Sequence, residues 1–198
     1  MVAPAILILP LVLGTPYDTQ RGGAEVVRNL GRFLEQYLGD CESEDPAFDK
    51  KGCEAAALQV QKDYKGKVLR LELDDVQELL HLATFDQKRG AYRLHLVPFF
   101  GERALAMSVG KPKRVNEEGQ PVLDNVPIWV KLPDGQPELI FRRSLERGQV
   151  RLELLLKPKG AYRLKRKGDS DIRGADVALV GLRLFQESGD QPLAEQMY

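Results

Sequence analysis

Val150–Lys167 reads VRLELLLKPKGAYRLKRK, and its interpretation decides the fold. Val150, Leu152, Leu154 and Leu156 alternate with Arg151, Glu153 and Leu155. A period of two places the first set on one face of a strand. Lys157-Pro158-Lys159-Gly160 has the chemistry of a type I turn. Proline presets φ at the second position, and glycine suits the last. The spacing therefore predicts a tight hairpin, with Ala161–Lys167 as its return arm. On that arm Tyr162 and Leu164 face the core, while Ala161, Arg163 and Lys165 face out. The pentapeptide GAYRL at 160–164 recurs at 90–94, but the flanks do not match and five residues fall short of a repeat.

Short strands spread outward from this hairpin. Lys67–Leu73, Tyr92–Val97, Arg103–Val109, Ile128–Leu132 and Glu138–Leu145 alternate or are strand-rich. Pro133-Asp134-Gly135-Gln136-Pro137 is a hairpin connection, Phe99-Phe100-Gly101 a turn, and Lys111–Val126 a long loop. Val177–Phe185, VALVGLRLF, is apolar on nearly both faces and predicts a central strand buried on two sides. Gln186–Tyr198 reads as a polar tail with one helical turn. Helical periodicity marks Gln20–Asp40, where Val26, Val27, Leu30, Phe33, Leu34, Tyr37 and Leu38 form an apolar stripe. Cys53–Tyr64 and Asp74–Ala83 are shorter helical patterns.

These elements predict an α+β fold, mainly β: an antiparallel β-sandwich or barrel-like sheet with N-terminal helices packed on it. The expected division is a signal peptide at 1–14, a helical segment with a disulfide loop at 15–66, and an antiparallel β domain at 67–198. The last two are expected to form one globular unit.

Val2–Gly14, VAPAILILPLVLG, is apolar throughout. It is too short to span a bilayer as a helix but suits the apolar core of a signal peptide. Met1-Val2 supplies no basic side chain, a departure from the usual pattern. Retention of this stretch as a buried element of a cytoplasmic protein is the alternative. Cys41 and Cys53 are the only cysteines, and a local pair in an oxidising compartment reads as one disulfide. The expectation is a periplasmic or secreted protein that does not span the membrane after processing.

Lys plus Arg equals Asp plus Glu at 29 each, so no global charge draws in nucleic acid and none is expected as a partner. The basic residues are nevertheless clustered. Lys157, Lys159, Arg163, Lys165, Arg166 and Lys167 crowd the opening stretch, and Lys111, Lys113 and Arg114 form a second group. Such clusters bind anionic partners, but lysine on an edge strand also blocks aggregation, and edge protection is the better reading of the cluster taken by itself. The loop carrying Asp40, Glu42, Glu44, Asp45 and Asp49 lacks the spacing of a calcium site. Gly168–Asp176, with Asp169, Asp171 and Asp176, opens like an EF-hand loop. It then places Arg173 and Val180 where oxygen ligands are needed. A solvated turn is the better reading, and no metal or other cofactor is expected.

The only histidines, His81 and His95, lie in no nucleophile motif, so no catalytic residue is singled out. The sequence thus points to an exported, non-enzymatic binding or structural protein of a bacterial-type cell envelope. It would contact a protein or an anionic envelope component through the basic hairpin and the adjacent loop. A hydrolase assembled across the sheets and a cytosolic adaptor are the alternatives.

Overall fold

The structure, a computed structural model, describes residues 14–39, 41, 45, 47–73, 80–96, 99–100, 105–111, 114–117, 121–122, 128–132, 143–144, 147, 149–165, 170–186 and 191–198. The expected signal peptide therefore lies almost wholly outside the described residues, as do the 133–137 connection and Glu138–Phe141 of the next expected strand.

The stretch expected to be a hairpin is instead one continuous strand. The N-terminal half supplies α1 (Pro16–Gly22), β1 (Glu25–Val27), α2 (Leu30–Leu38) and α3 (Lys50–Asp63). The β strands that follow are β2 (Leu69–Leu73), β3 (Leu80–Asp86), β4 (Ala91–Leu96), β5 (Phe99–Phe100), β6 (Leu105–Val109), β7 (Arg114–Val115), β8 (Pro121–Val122) and β9 (Ile128–Val130). β10 (Val150–Leu164), β11 (Ile172–Gln186) and β12 (Pro192–Met197) complete the chain. β10 passes through Pro158 and Gly160 with a register irregularity between them. Lys157–Gly160 lies within the strand and stays paired with β11, so the chain runs on instead of turning. Pro158 lies opposite Val177, and the bulge accommodates its missing N–H. The true partner of β10 is β11, antiparallel from Val150↔Gln186 to Leu164↔Ile172. The two copies of GAYRL part company at their glycines. Gly90 has φ +57° and closes the β3–β4 turn, where Asp86 accepts from the backbone N–H groups of Lys88 and Arg89.

The main sheet has the order β1-β2-β10-β11-β6-β5, and β12 adds to β11. β11 pairs with β6 through Arg173–Val177 and with β12 through Gly181–Phe185, which makes it the central strand expected. Two pairs in this mostly antiparallel sheet are parallel, β1–β2 and β6–β11. A second sheet has the order β3-β4-β9, and β7–β8 is a small ribbon inside the expected long loop. The fold is α+β and mainly β. Leu69, Leu71, Leu152, Leu154, Leu156, Leu182 and Leu184 form the core with Phe33, Leu34 and Tyr37 of α2 and with Tyr92, Ile128 and Val130 of the second sheet. Each such leucine contributes roughly 1.5–3 kcal/mol by leaving water.

Four further expectations are corrected. The single helix over Gln20–Asp40 is broken. Gly22-Gly23 ends α1, Val26 and Val27 enter β1 beside β2, and Asn29 caps α2 by accepting from the Arg32 N–H at 2.8 Å. The helical pattern over Asp74–Ala83 gives way at Leu80, which starts β3 against β4; residues 74–79 lie outside the described set. Phe99-Phe100 is a strand on β6 rather than a turn. The C-terminal tail is β12, which buries Leu193 and Ala194 against the core. In addition, Arg143 and Ser144 are helical where a strand was expected.

Cys41 and Cys53 form the expected disulfide, with their Cα atoms 5.6 Å apart. No helix among the described residues is long and apolar enough to cross a membrane.

Candidate functional site: a basic strand face

β2 pairs with β10 only over Leu152–Leu156, so the rest of β10 runs on past it. Beyond that point burial alternates. Lys157, Lys159, Ala161, Arg163 and Lys165 are exposed, Pro158 and Tyr162 are buried, and Gly160 and Leu164 are intermediate. This is the orientation expected for Ala161–Lys165, carried by a strand rather than by a return arm. Four of the five exposed positions are basic.

The buried side of the same segment is held by polar contacts. Tyr162 and Ser108 share a hydrogen bond of 2.6 Å between their hydroxyls. Gly174 makes room for it, since a Cβ there would collide with the Tyr162 ring. On the exposed side, Arg163 donates from Nε to Asp171 at 2.6 Å. Arg173, opposite Arg163 on β11, donates to the Gly39 carbonyl and so ties the strand to the end of α2.

Pairing brings the second basic group to the first. Ser108 on β6 lies opposite Asp176 on β11, which lies opposite Gly160 on β10. Gly110, at φ +85°, donates its N–H to the Val177 carbonyl at 3.1 Å and delivers Lys111 to the surface. Lys111 and Lys159, 48 positions apart, thereby both act on the Asp176 carboxyl. Burial raises its pKa, and the two ammonium groups only partly oppose that. Its Oδ1 atom is buried without a hydrogen-bond partner among the described residues.

A raised folded-state pKa means that the native state holds this proton more tightly than the unfolded chain, so Asp176 lowers stability as pH rises above the ordinary carboxylate range. Asp176→Asn is therefore expected to stabilise the protein at pH 7, by no more than about 1 kcal/mol for a partly buried group. The gain should vanish on acidification to pH 3. Urea unfolding at the two pH values checks this; equal effects at both would rule out the ionised carboxylate as the cause.

Arg114 lies on β7, opposite Val122, whereas Lys113, Arg166 and Lys167 lie outside the described residues. The acidic set of the 168–176 segment does not converge. Asp171 is engaged by Arg163, Asp176 sits within β11, and Asp169 is outside the described residues. Five extended residues separate Asp171 from Asp176 by about 16 Å. Among the described residues no group of three His, Cys, Asp or Glu could hold a metal ion. His81 and His95 are register partners on β3 and β4.

Toward the start of β10, beside α1, lies a cluster that the sequence reading passed over. The Glu153 side chain is 3 % exposed and accepts from Arg21 Nε at 2.8 and 3.0 Å, with Arg70 at 3.7 Å. Tyr17 donates its hydroxyl to the Glu153 carbonyl at 3.3 Å, and burial beside this carboxylate pushes the phenol pKa well above its ordinary value. Arg183 pairs with Glu195 and with Asp18 at 3.0 Å, and its guanidinium lies 4.3 Å over the Tyr17 ring. A cavity of about 410 Å³ opens here, lined by Arg21, Glu72, Arg151, Leu152, Glu153, Arg183 and Phe185. Arg21, Arg70, Arg151 and Arg183 balance Asp18, Glu72, Glu153 and Glu195. Without surplus charge to recruit an ion, this cluster acts as the latch that fastens α1 to the sheet. The available signal was the presence of Glu153 and Arg183 between leucines in the apolar runs Leu152–Leu156 and Val177–Phe185.

A family model matches residues 2–194. The chain belongs to the DUF6066 family. That family is described as one of unknown function. The matched span takes in almost the whole chain, including the apolar stretch at its start, α1, α2, α3 and the basic strand. No curated protein and no solved structure matches the chain.

Proposed function

We propose that this DUF6066 chain is an exported, non-enzymatic binding component of a bacterial-type cell envelope, which meets an anionic partner through the exposed face of β10 and the adjoining Lys111 segment. The observation that carries this reading is the run of exposed Lys157, Lys159 and Lys165 along and just past β10, with Lys111 near enough to Lys159 that both act on Asp176. Neutral overall charge makes the patch local, so it steers one face toward an anion rather than the whole protein. Export is supported by the bonded cysteine pair and by the apolar Val2–Gly14 stretch.

Charge reversal tests the surface. Lys157→Glu, Lys159→Glu and Lys165→Glu combined are expected to lower binding to isolated anionic envelope material by at least tenfold in low salt, with the circular dichroism of the fold retained. All three side chains are exposed, so stability should change little. Undiminished binding by the folded triple variant would refute the assignment. Intact mass of the protein from its native host tests export, which requires loss of the apolar N-terminal segment.

A further inference from the structure

We infer that the partner is an acidic, extended protein segment that docks by adding a strand to the outer edge of β10. This rests on the reading of the basic face as the contact surface. One side of β10 is paired with β11 along its length, but β2 covers the other side only as far as Leu156. Among the described residues no strand lies beside the outer edge from Lys157 to Tyr162, and no loop backbone bonds to it. The run from Lys157 to Tyr162 is about 20 Å of extended backbone. Such an edge is a template for another strand, and main-chain hydrogen bonding to it is a general mode of peptide capture.

Charge selects the occupant. An added strand sets its side chains directly opposite Lys157 and Lys159, where unlike charges attract and like charges repel. A second copy of this chain would oppose lysine to lysine along the same edge and is disfavoured. A strand with Asp or Glu at every second position instead meets Lys157 and Lys159 on one face, with Lys165 just past the strand end, and presents its other side chains beside Pro158 and Tyr162. The bulge at Pro158–Gly160 interrupts the ladder, and together with lysine it turns away strands that lack the acidic pattern.

The test uses the full chain and an eight-residue peptide alternating valine and glutamate. Its control is the same peptide N-methylated at alternate amides, equal in charge but unable to complete a ladder. The inference expects saturable binding of the first peptide, slowed amide exchange confined to 157–164, and at least tenfold weaker binding of the N-methylated form. Equal binding of both peptides without protection of 157–164 overturns strand addition and leaves a charge-only surface. Binding to vesicles of anionic lipid but to neither peptide overturns it in favour of a membrane surface. Absence of binding to peptides and vesicles alike counts against both the strand docking and the basic-face reading beneath it.

Discussion

Glu153→Ala is expected to destabilise the protein by about 3 kcal/mol, the low end of the 3–5 kcal/mol typical for removing one partner of a buried ion pair. The carboxylate is almost fully enclosed and is the shared anion for Arg21 and Arg70. Deleting it leaves Arg70, 20 % exposed, without its buried partner, while Arg21, 38 % exposed, can turn to water. That escape places the expected loss near the lower bound. A domain of this size is commonly stable by only 5–15 kcal/mol, so the loss is a large fraction of the total. The effect should also be local in origin. Tyr17, fully buried over Gly181, holds α1 to the sheet together with this network, so proteolysis near residues 14–23 should accelerate first. Glu153→Gln keeps the shape and an acceptor oxygen but not the charge, and should cost roughly half as much. Urea unfolding of the three proteins measures the series. A loss below 1 kcal/mol for Glu153→Ala would mean that the arginines find equivalent partners and that the cluster is no latch.

Reduction of Cys41–Cys53 ranks beside it, with an expected loss of about 2–4 kcal/mol. For a chain of this length that corresponds to a fall in Tm of roughly 5–15 °C. The bond closes the connection between α2 and α3, and the backbone is built around it. Gly39 has φ +69°, and a Cβ there would approach Cys41 Sγ to 2.7 Å and the Ala57 Cβ to 2.9 Å. The Gly39 carbonyl also receives Arg173 from β11, so the bonded loop is fastened to the sheet. Amide exchange with and without reductant separates the regions. Faster exchange is expected in α3 and at Gly39, with β10 and β11 unchanged below the global transition. Uniform acceleration would place the disulfide in the global folding unit instead.

The strands of the β domain were legible where alternation met a single buried face. Leu69 and Leu71 lie inward as their period of two requires, as do Leu152, Leu154 and Leu156, and β11 is central as its two-sided apolarity requires. Turn chemistry misled where tertiary pairing was stronger. Pro158 and Gly160 look like a turn in isolation, yet β10 makes fourteen register pairs with β11, five of them beyond Pro158, and these reward a straight continuation with a bulge. Helical periodicity likewise ran through β1, because the step from α1 to β1 rests on Gly23 and the step from β1 to α2 on Asn29, neither of which carries a hydrophobic signal. The basic residues were visible as clusters. Their convergence was not, since Lys111 reaches Lys159 only through the parallel pairing of β6 with β11, a connection no local pattern announces. The latch was hidden for the related reason that the two ion pairs that tie α1 to the sheet, Arg21–Glu153 and Asp18–Arg183, join residues 132 and 165 positions apart.

The binding role is tested most directly by a photoactivatable residue in place of Lys159 in the native host, with the same residue in place of exposed Leu58 on α3 as the reference position. The account predicts a discrete adduct from position 159 alone, formed by the processed protein with an envelope component and lost when Lys157 and Lys165 are changed to glutamate. Adducts of equal pattern from both positions, or a full-length chain with no adduct from position 159, would contradict it.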